Sequence, residues 1–528
     1  MSIPQVPHGP SADPVIHLRR REMLVAGGAA LLMGLSRGRA AAQPVPRKGG
    51  ILKLAAPFNP SSLDPVTGGA GSDHMVLYPV FDTLVSFDPG TLAPQPGLAV
   101  AWNYPDPRTL ILTLRAGVRF HDGTPMDAAA VKANLDRARM DDRSSVKGDL
   151  QSLASVQVLA PDSVALHLSR PDTALPLILA DRAGMMSSPR AITARGRQYD
   201  REPVGAGPFK FGRWADNDVV ELVRNEDYWD RDLPHLDGIT FRIITDLNTG
   251  LRSVLAGENH GAYRLNPQQK IVADRMGARV VVSSTPTIAD YHLVFNSRRA
   301  PLNDVRVRRA INYAVDRAAF NRAALLGLGT PAQTMLPPGY WAHDESLNDF
   351  YTHDPDRARA LLREAGHAEG IDIQFFGNAD QASQQRHEIV IEQLRQVGIR
   401  ARLTAGSNAD MYQRFMIQQE GDMIMTLWTG RPDPALPFLL VYGENGFNNA
   451  GKVPPPPEMV AAQDEAQTAS DQPGRKRAFA KLERLALEHA LSCELAFVPG
   501  IEVFTPDVRN YTPNLLGKPK FNDVFLAA

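Results

Sequence analysis

Apolar residues at every second position predict strands in the first half of the chain. The stretch 109-TLILTLRAGVRF-120 alternates in this way, as a half-buried strand does. The stretch 155-SVQVLAPDSVALHLSR-170 contains two alternating runs, which predict a hairpin. Between them, 121-HDGTPMDAAAVKANLDRAR-139 predicts a helix with Thr124 as its N-cap and Pro125 in its first turn. Strands and helices are therefore mixed in this part of the chain.

Apolar residues with helical spacing follow in the second half. The stretch 304-DVRVRRAINYAVDRAAFNRAALLG-327 predicts one long amphipathic helix that ends at Gly327. The stretch 354-DPDRARALLREAG-366 predicts another helix, with Asp354 as its N-cap and Pro355 in its first turn.

The pattern between residues 371 and 428 predicts an open sheet. Strands are expected at 371-IDIQFF-376 and 399-IRARLT-404, on either side of a helix at 384-QQRHEIVIEQLRQVG-398. Such a strand–helix–strand crossover makes the two strands parallel. The apolar run 423-MIMTLW-428 predicts a further buried strand of the same sheet. The predicted fold class is therefore α/β.

The N-terminus predicts an export signal. Arg19, Arg20 and Arg21 precede an apolar run that ends at Leu35, and three alanines follow at 40–42. This order matches a signal peptide with a small-residue cleavage site, and the run is too short for a lasting bilayer span, although an uncleaved anchor is the alternative. The paired arginines resemble the twin-arginine export signal of bacteria. We expect cleavage near Ala42 and a periplasmic or secreted mature protein.

Length, charge and cysteine content limit the function classes. A chain of 528 residues predicts two or three compact units. The 57 basic and 58 acidic residues provide no basic field for nucleic acid. The single cysteine, Cys493, excludes an internal disulfide and a multi-cysteine metal site.

A search for catalytic motifs finds no candidate set. The match 34-GLSRG-38 to a nucleophile motif falls inside the predicted signal peptide, and the glycines of 67–73 and 205–209 lack a strand–loop–helix phosphate motif. The acids and histidines of 343-HDESLNDFYTHDPD-356 fit no known metal-ligand spacing. We therefore expect no enzyme activity, no cofactor and no bound metal. A secreted cofactor-dependent enzyme is the alternative.

Four blocks in order resemble one family. They are 114-LRAGVRFHDGTPMDAAAVKANLDRA-138, 205-GAGPFKFGRWADNDVVELVRNEDYWDRDLPHLDGITFRII-244, 293-LVFNSRRAPLNDVRVRRAINYAVDRAAF-320 and 354-DPDRARALLREAG-366. Together these blocks resemble the family 5 solute-binding proteins of ABC importers, the peptide and nickel type. The resemblance covers nearly the whole mature chain.

The resemblance implies a two-lobe periplasmic binding protein fold (class II, cluster C) with an extra sub-domain in lobe one. The chain would cross between the lobes near 291–296 and 495–500. The implied limits are residues 43–88, 188–290 and 497–528 for lobe one, 89–187 for the extra sub-domain and 291–496 for lobe two.

The resemblance also directs attention to 426-TLWTGRPDPALPF-438. In peptide-binding members an aspartate close behind the strand-ending tryptophan, here Trp428, holds the peptide amine. This chain has Arg431 just after Trp-Thr-Gly and Asp433 two residues later. Arg431 could hold a ligand carboxylate while Asp433 takes an amine. Alternatively, Arg431 pairs with Asp433 or another acid and shapes the loop.

Family position nominates further ligand contacts, each of which could equally be a loop-shaping residue. These candidates are Phe58, Asn59, Asn378, Phe447 and Asn448. His74 and His292 are possible polar contacts, although structural histidines are the simpler interpretation.

The resemblance implies a monomeric binding protein that captures a short peptide or an amino-acid-derived solute bearing a carboxylate, by hinge closure, and delivers it to an ABC permease. Glutathione-like solutes, opines and metal chelates remain open as ligands. A ligand sensor for a membrane receptor is the alternative role.

Overall fold

The computed structural model describes residues 46–446, 448–469 and 471–527. Residues from Pro46 onward form one compact unit. The predicted signal peptide, its cleavage site and Phe447 lie outside the described residues. Within the described ranges, no helix is both long enough and apolar enough to cross a membrane.

The strands are Ile51–Ala56 (β1), Val85–Phe87 (β2), Pro94–Pro96 (β3), Ala99–Asp106 (β4), Thr109–Leu114 (β5), Leu153–Ala160 (β6), Ser163–Leu168 (β7), Phe209–Ala215 (β8), Val219–Arg224 (β9), Gly238–Ile243 (β10), Gly261–Ala262 (β11), Val281–Thr285 (β12), Asp290–Phe295 (β13), Thr330–Pro331 (β14), Ile371–Asn378 (β15), Ile399–Gly406 (β16), Met423–Trp428 (β17), Ser492–Phe497 (β18), Gly500–Phe504 (β19), Val508–Arg509 (β20) and Phe525–Leu526 (β21).

The α-helices are His74–Val80 (α1), Ala128–Met140 (α2), Leu175–Ile178 (α3), Pro189–Arg195 (α4), Leu247–Leu255 (α5), Pro267–Asp274 (α6), Val305–Ala314 (α7), Arg317–Leu325 (α8), Pro355–Glu364 (α9), Gln381–Arg395 (α10), Asn408–Tyr412 (α11), Ala435–Tyr442 (α12), Pro457–Thr468 (α13) and Gln472–Glu488 (α14).

Two large sheets organise the molecule. A seven-stranded sheet has the order β12-β19-β11-β1-β10-β9-β8, and a six-stranded sheet has the order β14-β18-β13-β17-β15-β16. The chain passes from the first sheet to the second at residues 286–289 and returns at residues 498–499. The sheets are therefore joined by two short segments.

The six-stranded sheet contains the predicted crossover. Strand β15 pairs in parallel with β16, and helix α10 lies between them in the chain. Strand β17 also pairs in parallel with β15, which confirms the predicted buried strand at 423–428. Residues Val307, Ile311 and Phe320 of the adjacent helices are buried in a core with strand residues of this sheet.

The predicted single helix over 304–327 is wrong, because the chain forms two helices there. Val315 is extended, with ψ of 115°. The carboxylate of Asp316 then accepts a hydrogen bond from the Ala319 backbone N–H at 2.8 Å and caps α8. An aspartate that can act as an N-cap therefore starts a new helix inside the apolar stripe.

A four-stranded antiparallel sheet, β4-β5-β7-β6, confirms the predicted strand at 109 and the hairpin at 155–170. The neighbouring helix α2 begins later than predicted. The Thr124 hydroxyl donates to Asp122 at 2.6 Å, whereas Asp127 accepts from the Ala130 backbone N–H at 2.9 Å. The N-cap is therefore Asp127 and not Thr124.

Candidate functional site

A cavity of about 220 Å³ lies between the two large sheets, at the segments where the chain crosses. Its wall on the side of the seven-stranded sheet includes Phe58, Arg264, Glu502 and Lys518. Its wall on the side of the six-stranded sheet includes Tyr291, Arg386, Leu427 and Thr429. The cavity therefore contacts both sheets, and three of these eight side chains are basic.

Arg264 follows the short strand β11 and has an unusual backbone. Its φ is +54°, in the left-handed region that a residue with a Cβ seldom adopts. Its guanidinium carbon lies 5.2 Å from the centroid of the Phe58 ring. Burial lowers the pKa of Arg264, and the nearby acid Glu502 acts in the opposite direction.

Glu502 lies in the middle of β19, and its side chain is buried. The residue is 4% exposed, and its Oε2 atom has no hydrogen-bond partner among the described residues. Burial raises the pKa of Glu502 to about 7, while the Ser283 hydroxyl and Arg264 oppose this shift. Sequence reasoning missed both Arg264 and Glu502. The available signal was one acid inside the apolar strand 500-GIEVF-504.

A buried charge network lies beside the cavity. Asp181 accepts from Lys518 Nζ at 2.6 Å and is 2.5 Å from His74 Nε2. Burial alone would raise the pKa of Asp181, but Lys518 and His74 hold it well below its usual range. Burial lowers the pKa of Lys518 to about 8 and that of His74 to about 3. His74 is therefore a structural histidine that orients Asp181.

Trp428 and Arg431 stand at the carboxyl end of β17, as expected. Trp428 is buried, and the Arg431 guanidinium carbon lies 5.5 Å from the centroid of its ring. Arg431 donates to the backbone oxygen of Gly430 at 3.2 Å. It does not line the cavity, but its charge acts on Asp149 and Asp181. Asp149 and Asp181 both come before the first strand of the six-stranded sheet in the chain, so the charge of Arg431 acts on residues outside that sheet.

Asp433 is fully buried and bound within the protein. Arg475 Nη2 donates to its two carboxylate oxygens at 2.8 and 2.9 Å. Asp433 Oδ1 also accepts from the Ala435 backbone N–H at 2.9 Å, at the start of α12. The alternative in which Arg431 pairs with Asp433 is therefore not formed, because Arg475 holds that carboxylate.

The other nominated residues are dispersed. Phe58 lines the cavity. Asn59 Oδ1 accepts from Trp214 Nε1 at 3.2 Å, and Asn448 Oδ1 accepts from the Tyr412 hydroxyl at 2.8 Å. Asn378 pairs with Gly406 at the end of β15, and His292 Nδ1 lies 3.0 Å from Asp290. Of these residues, the structure brings Phe58 to the cavity, and Phe447 lies outside the described residues.

The residues considered for metal binding or catalysis contact other protein groups. His343 contacts Asn348 at 2.8 Å and Glu483 at 3.4 Å. Among the described residues, no group of three or more His, Cys, Asp or Glu side chains is arranged to hold a metal ion. Burial raises the pKa of Cys493 to about 12, which keeps its thiol protonated.

Comparisons with known proteins agree on one family. A family model described as bacterial extracellular solute-binding proteins, family 5 Middle, matches residues 93–450. The glutathione-binding protein GsiB of Salmonella paratyphi A is 36% identical over 303 residues, which are 57% of this chain and 58% of that protein. The match therefore spans less than two thirds of the curated relative.

Solved structures show the same fold. DppA of Helicobacter pylori, in complex with the peptide STSA, superposes with a TM-score of 0.81 at 22% identity, over 91% of this chain and 99% of that chain. AgaA of A. tumefaciens R10, in complex with agropinic acid, gives 0.81 at 23% identity over the same shares. These similarities confirm the α/β two-lobe periplasmic binding protein fold. Each of the two lobes contains one of the two large sheets.

The Asp433–Arg475 pair predicts a stability effect. We expect Asp433→Ala to lower the free energy of unfolding by about 3–5 kcal/mol, because it leaves the Arg475 charge buried without its partner. Asp464→Ala is the matched control, since Asp464 is 58% exposed and meets Arg170 at 3.5 Å. Asp464→Ala should change the free energy of unfolding by no more than about 1 kcal/mol. Urea unfolding measures both, and equal losses for the two variants would contradict the structural role of Asp433.

Proposed function

Because the chain belongs to the family 5 bacterial extracellular solute-binding proteins, we propose that it captures a small carboxylate-bearing solute, peptide-like or derived from an amino acid, and delivers it to an ABC permease. Members of this family bind solutes for transport and are not enzymes. The observation that carries the proposal is the cavity between the lobes, whose lining combines basic side chains with the aromatic rings of Phe58 and Tyr291.

The cavity volume limits the solute. About 220 Å³ corresponds to the volume of roughly seven water molecules. A dipeptide or a solute of similar size fits that order of volume. The relative GsiB is named for glutathione, and solved relatives hold a short peptide or agropinic acid. Glutathione and agropinic acid are small solutes and STSA is a tetrapeptide, whereas AppA of Bacillus subtilis holds a nonapeptide on the same fold.

The charges on the cavity walls favour a carboxylate. Arg264 and Lys518 stand on one wall, and Arg386 stands on the other, with its guanidinium carbon 4.5 Å from the Tyr291 ring centroid. Guanidinium groups bind carboxylates through two parallel hydrogen bonds, and desolvation strengthens the attraction. Because Lys518 is already paired with Asp181, the basic groups left for a solute carboxylate are Arg264 on one wall and Arg386 on the other.

Closure of the two lobes over the solute is the proposed mechanism. A solute that touches both walls favours the closed state over the open state. The structure also contains a contact between the two proposed lobes outside the cavity lining: the Thr173 backbone N–H and hydroxyl both donate to the Gln467 backbone oxygen, at 2.7 and 2.9 Å. We propose lobe limits at 43–88, 188–290 and 497–528 against 291–496, with 89–187 as an added sub-domain.

We also propose the cellular setting. The N-terminal pattern supports export through a twin-arginine signal with cleavage near Ala42, so that the mature protein is a periplasmic monomer. The permease partner follows from the family. Of the nominated residues, Phe58 is proposed as a ligand contact, while Trp428 and Asp433 support the wall rather than extending into the 220 Å³ cavity.

A substitution that fills the cavity tests the proposed site. Thr429→Trp should abolish the binding of dipeptides and glutathione, because the indole would occupy the space between the walls. The exposed Thr352 offers a matched control, Thr352→Trp, which should bind as the unmodified protein does. Isothermal titration with a panel of acidic dipeptides and glutathione measures the affinity. Undiminished binding by Thr429→Trp would place the solute elsewhere.

Arg431 predicts an effect on closure. Its charge attracts Asp149 and Asp181 of the opposite lobe, and this attraction is opposed by repulsion from Lys518 and Arg182. We expect Arg431→Ala to weaken solute affinity about fivefold or more, in the range of ordinary coupling free energies, since the closed state loses this attraction. Arg402→Ala is the control, because Arg402 is 80% exposed on the far strand β16. Unchanged affinity of Arg431→Ala, measured with the best solute of the panel, would contradict this role.

A further inference from the structure

We propose that Glu502 and Arg264 form a charge clamp in the cavity that selects solutes carrying both an ammonium group and a carboxylate. Glu502 accepts hydrogen bonds from the ammonium group, and Arg264 donates hydrogen bonds to the carboxylate. The clamp rests on the proposed function and narrows its solute class to zwitterions. It also places amine recognition on lobe one, away from the segment after Trp428.

The first observation is the unpartnered carboxyl oxygen of Glu502. The side chain lines the cavity, is 4% exposed and leaves Oε2 without a hydrogen-bond partner among the described residues. A buried polar atom without a partner costs folding free energy, and such atoms in native proteins call for an explanation. An ammonium group in the cavity would supply the missing donor.

The second observation is the position of Arg264. No carboxylate lies within 4.0 Å of its guanidinium in the part of the chain that the structure describes. The guanidinium instead lies over the Phe58 ring on the cavity wall. Its left-handed backbone, with φ of +54°, costs free energy, and such conformations cluster at functional sites. Arg264 therefore forms no ion pair with a described acid, although Glu502 is close enough for its charge to act on Arg264.

The nearby acids are already engaged, which leaves Glu502 as the amine acceptor. Asp433 is held by Arg475 through both oxygens. Asp181 is held by Lys518 and His74. Among the described residues that line the cavity, Glu502 is the only acid. A solute ammonium inside the cavity therefore meets one carboxyl group.

Proton release provides a readout that a merely structural residue would not produce. Burial raises the pKa of Glu502 to about 7, against the opposing effects of the Ser283 hydroxyl and Arg264, and the buried Tyr511 also lies close enough for the charge of Glu502 to raise the pKa of Tyr511. At pH 6 the carboxyl group is therefore mostly protonated in the solute-free protein. An ammonium group favours the carboxylate, so binding at pH 6 should release close to one proton from Glu502.

The test compares the affinity of the mature protein for free solutes with its affinity for solutes whose amino or carboxyl end is blocked. Glutathione and acidic dipeptides are titrated beside their N-acetyl and C-amide analogues. N-acetylation should weaken binding by the unmodified protein about 10- to 100-fold, the range of a hydrogen bond to a charged group. Glu502→Gln should lose affinity for the free amine by a similar factor, bind the free and acetylated forms alike, and release no proton at pH 6. Arg264→Gln should lose affinity for the free carboxylate by a similar factor and should bind the free and C-amide forms alike.

The controls separate the clamp from the fold and from the proposed function. Glu258→Gln changes an exposed acid outside the cavity and should leave every affinity unchanged. Glu502→Asp, which keeps the carboxyl group, should retain the preference for the free amine if Glu502→Gln fails to fold. Equal binding of free and N-acetylated solutes by the unmodified protein would overturn the clamp while the proposed function stands. No binding of any probe would overturn the clamp together with the proposed solute class.

Discussion

The two short crossings between the sheets are the constraint on which the rest of the structure depends. The chain joins the two large sheets at 286–289 and 498–499. Thr287, Ala289, Val498 and Pro499 of these crossings line the cavity. A solute held there would touch both lobes and the segments that join them, and the proposed closure would then couple binding to lobe movement.

The charged groups around the cavity are of two kinds: those paired with another protein group and those without an ion-pair partner. The pairs Asp433–Arg475 and Asp181–Lys518 join buried charges that would be costly if left alone, and they hold the walls in position. Arg264 and Glu502 form no such ion pair, although Glu502, at 4% exposed, lies between the paired acids Asp433 (0%) and Asp181 (7%) in exposure. The walls are therefore built from satisfied pairs, and the unsatisfied groups face the space that a solute would fill.

Local patterns predicted the elements better than the site. The crossover at 371–428 followed from periodicity and caps, because both act over one or two turns. The partner of Asp433 could not be predicted, since Arg475 lies 42 residues further along the chain, in helix α14. Arg264 and Glu502 come together only because β11 and β19 are neighbours in the sheet. Residues brought together by sheet order, and not by spacing, were beyond the reach of the sequence.

Native mass spectrometry of the mature protein, before and after unfolding and refolding, tests the central claim most directly. The claim is that a small zwitterionic solute bearing a carboxylate occupies the cavity between the lobes. The account predicts that unfolding releases a mass in the range of a dipeptide, a glutathione-like solute or an opine, and that the refolded protein takes it up again. Release of a long peptide, a metal ion or a large cofactor would contradict it.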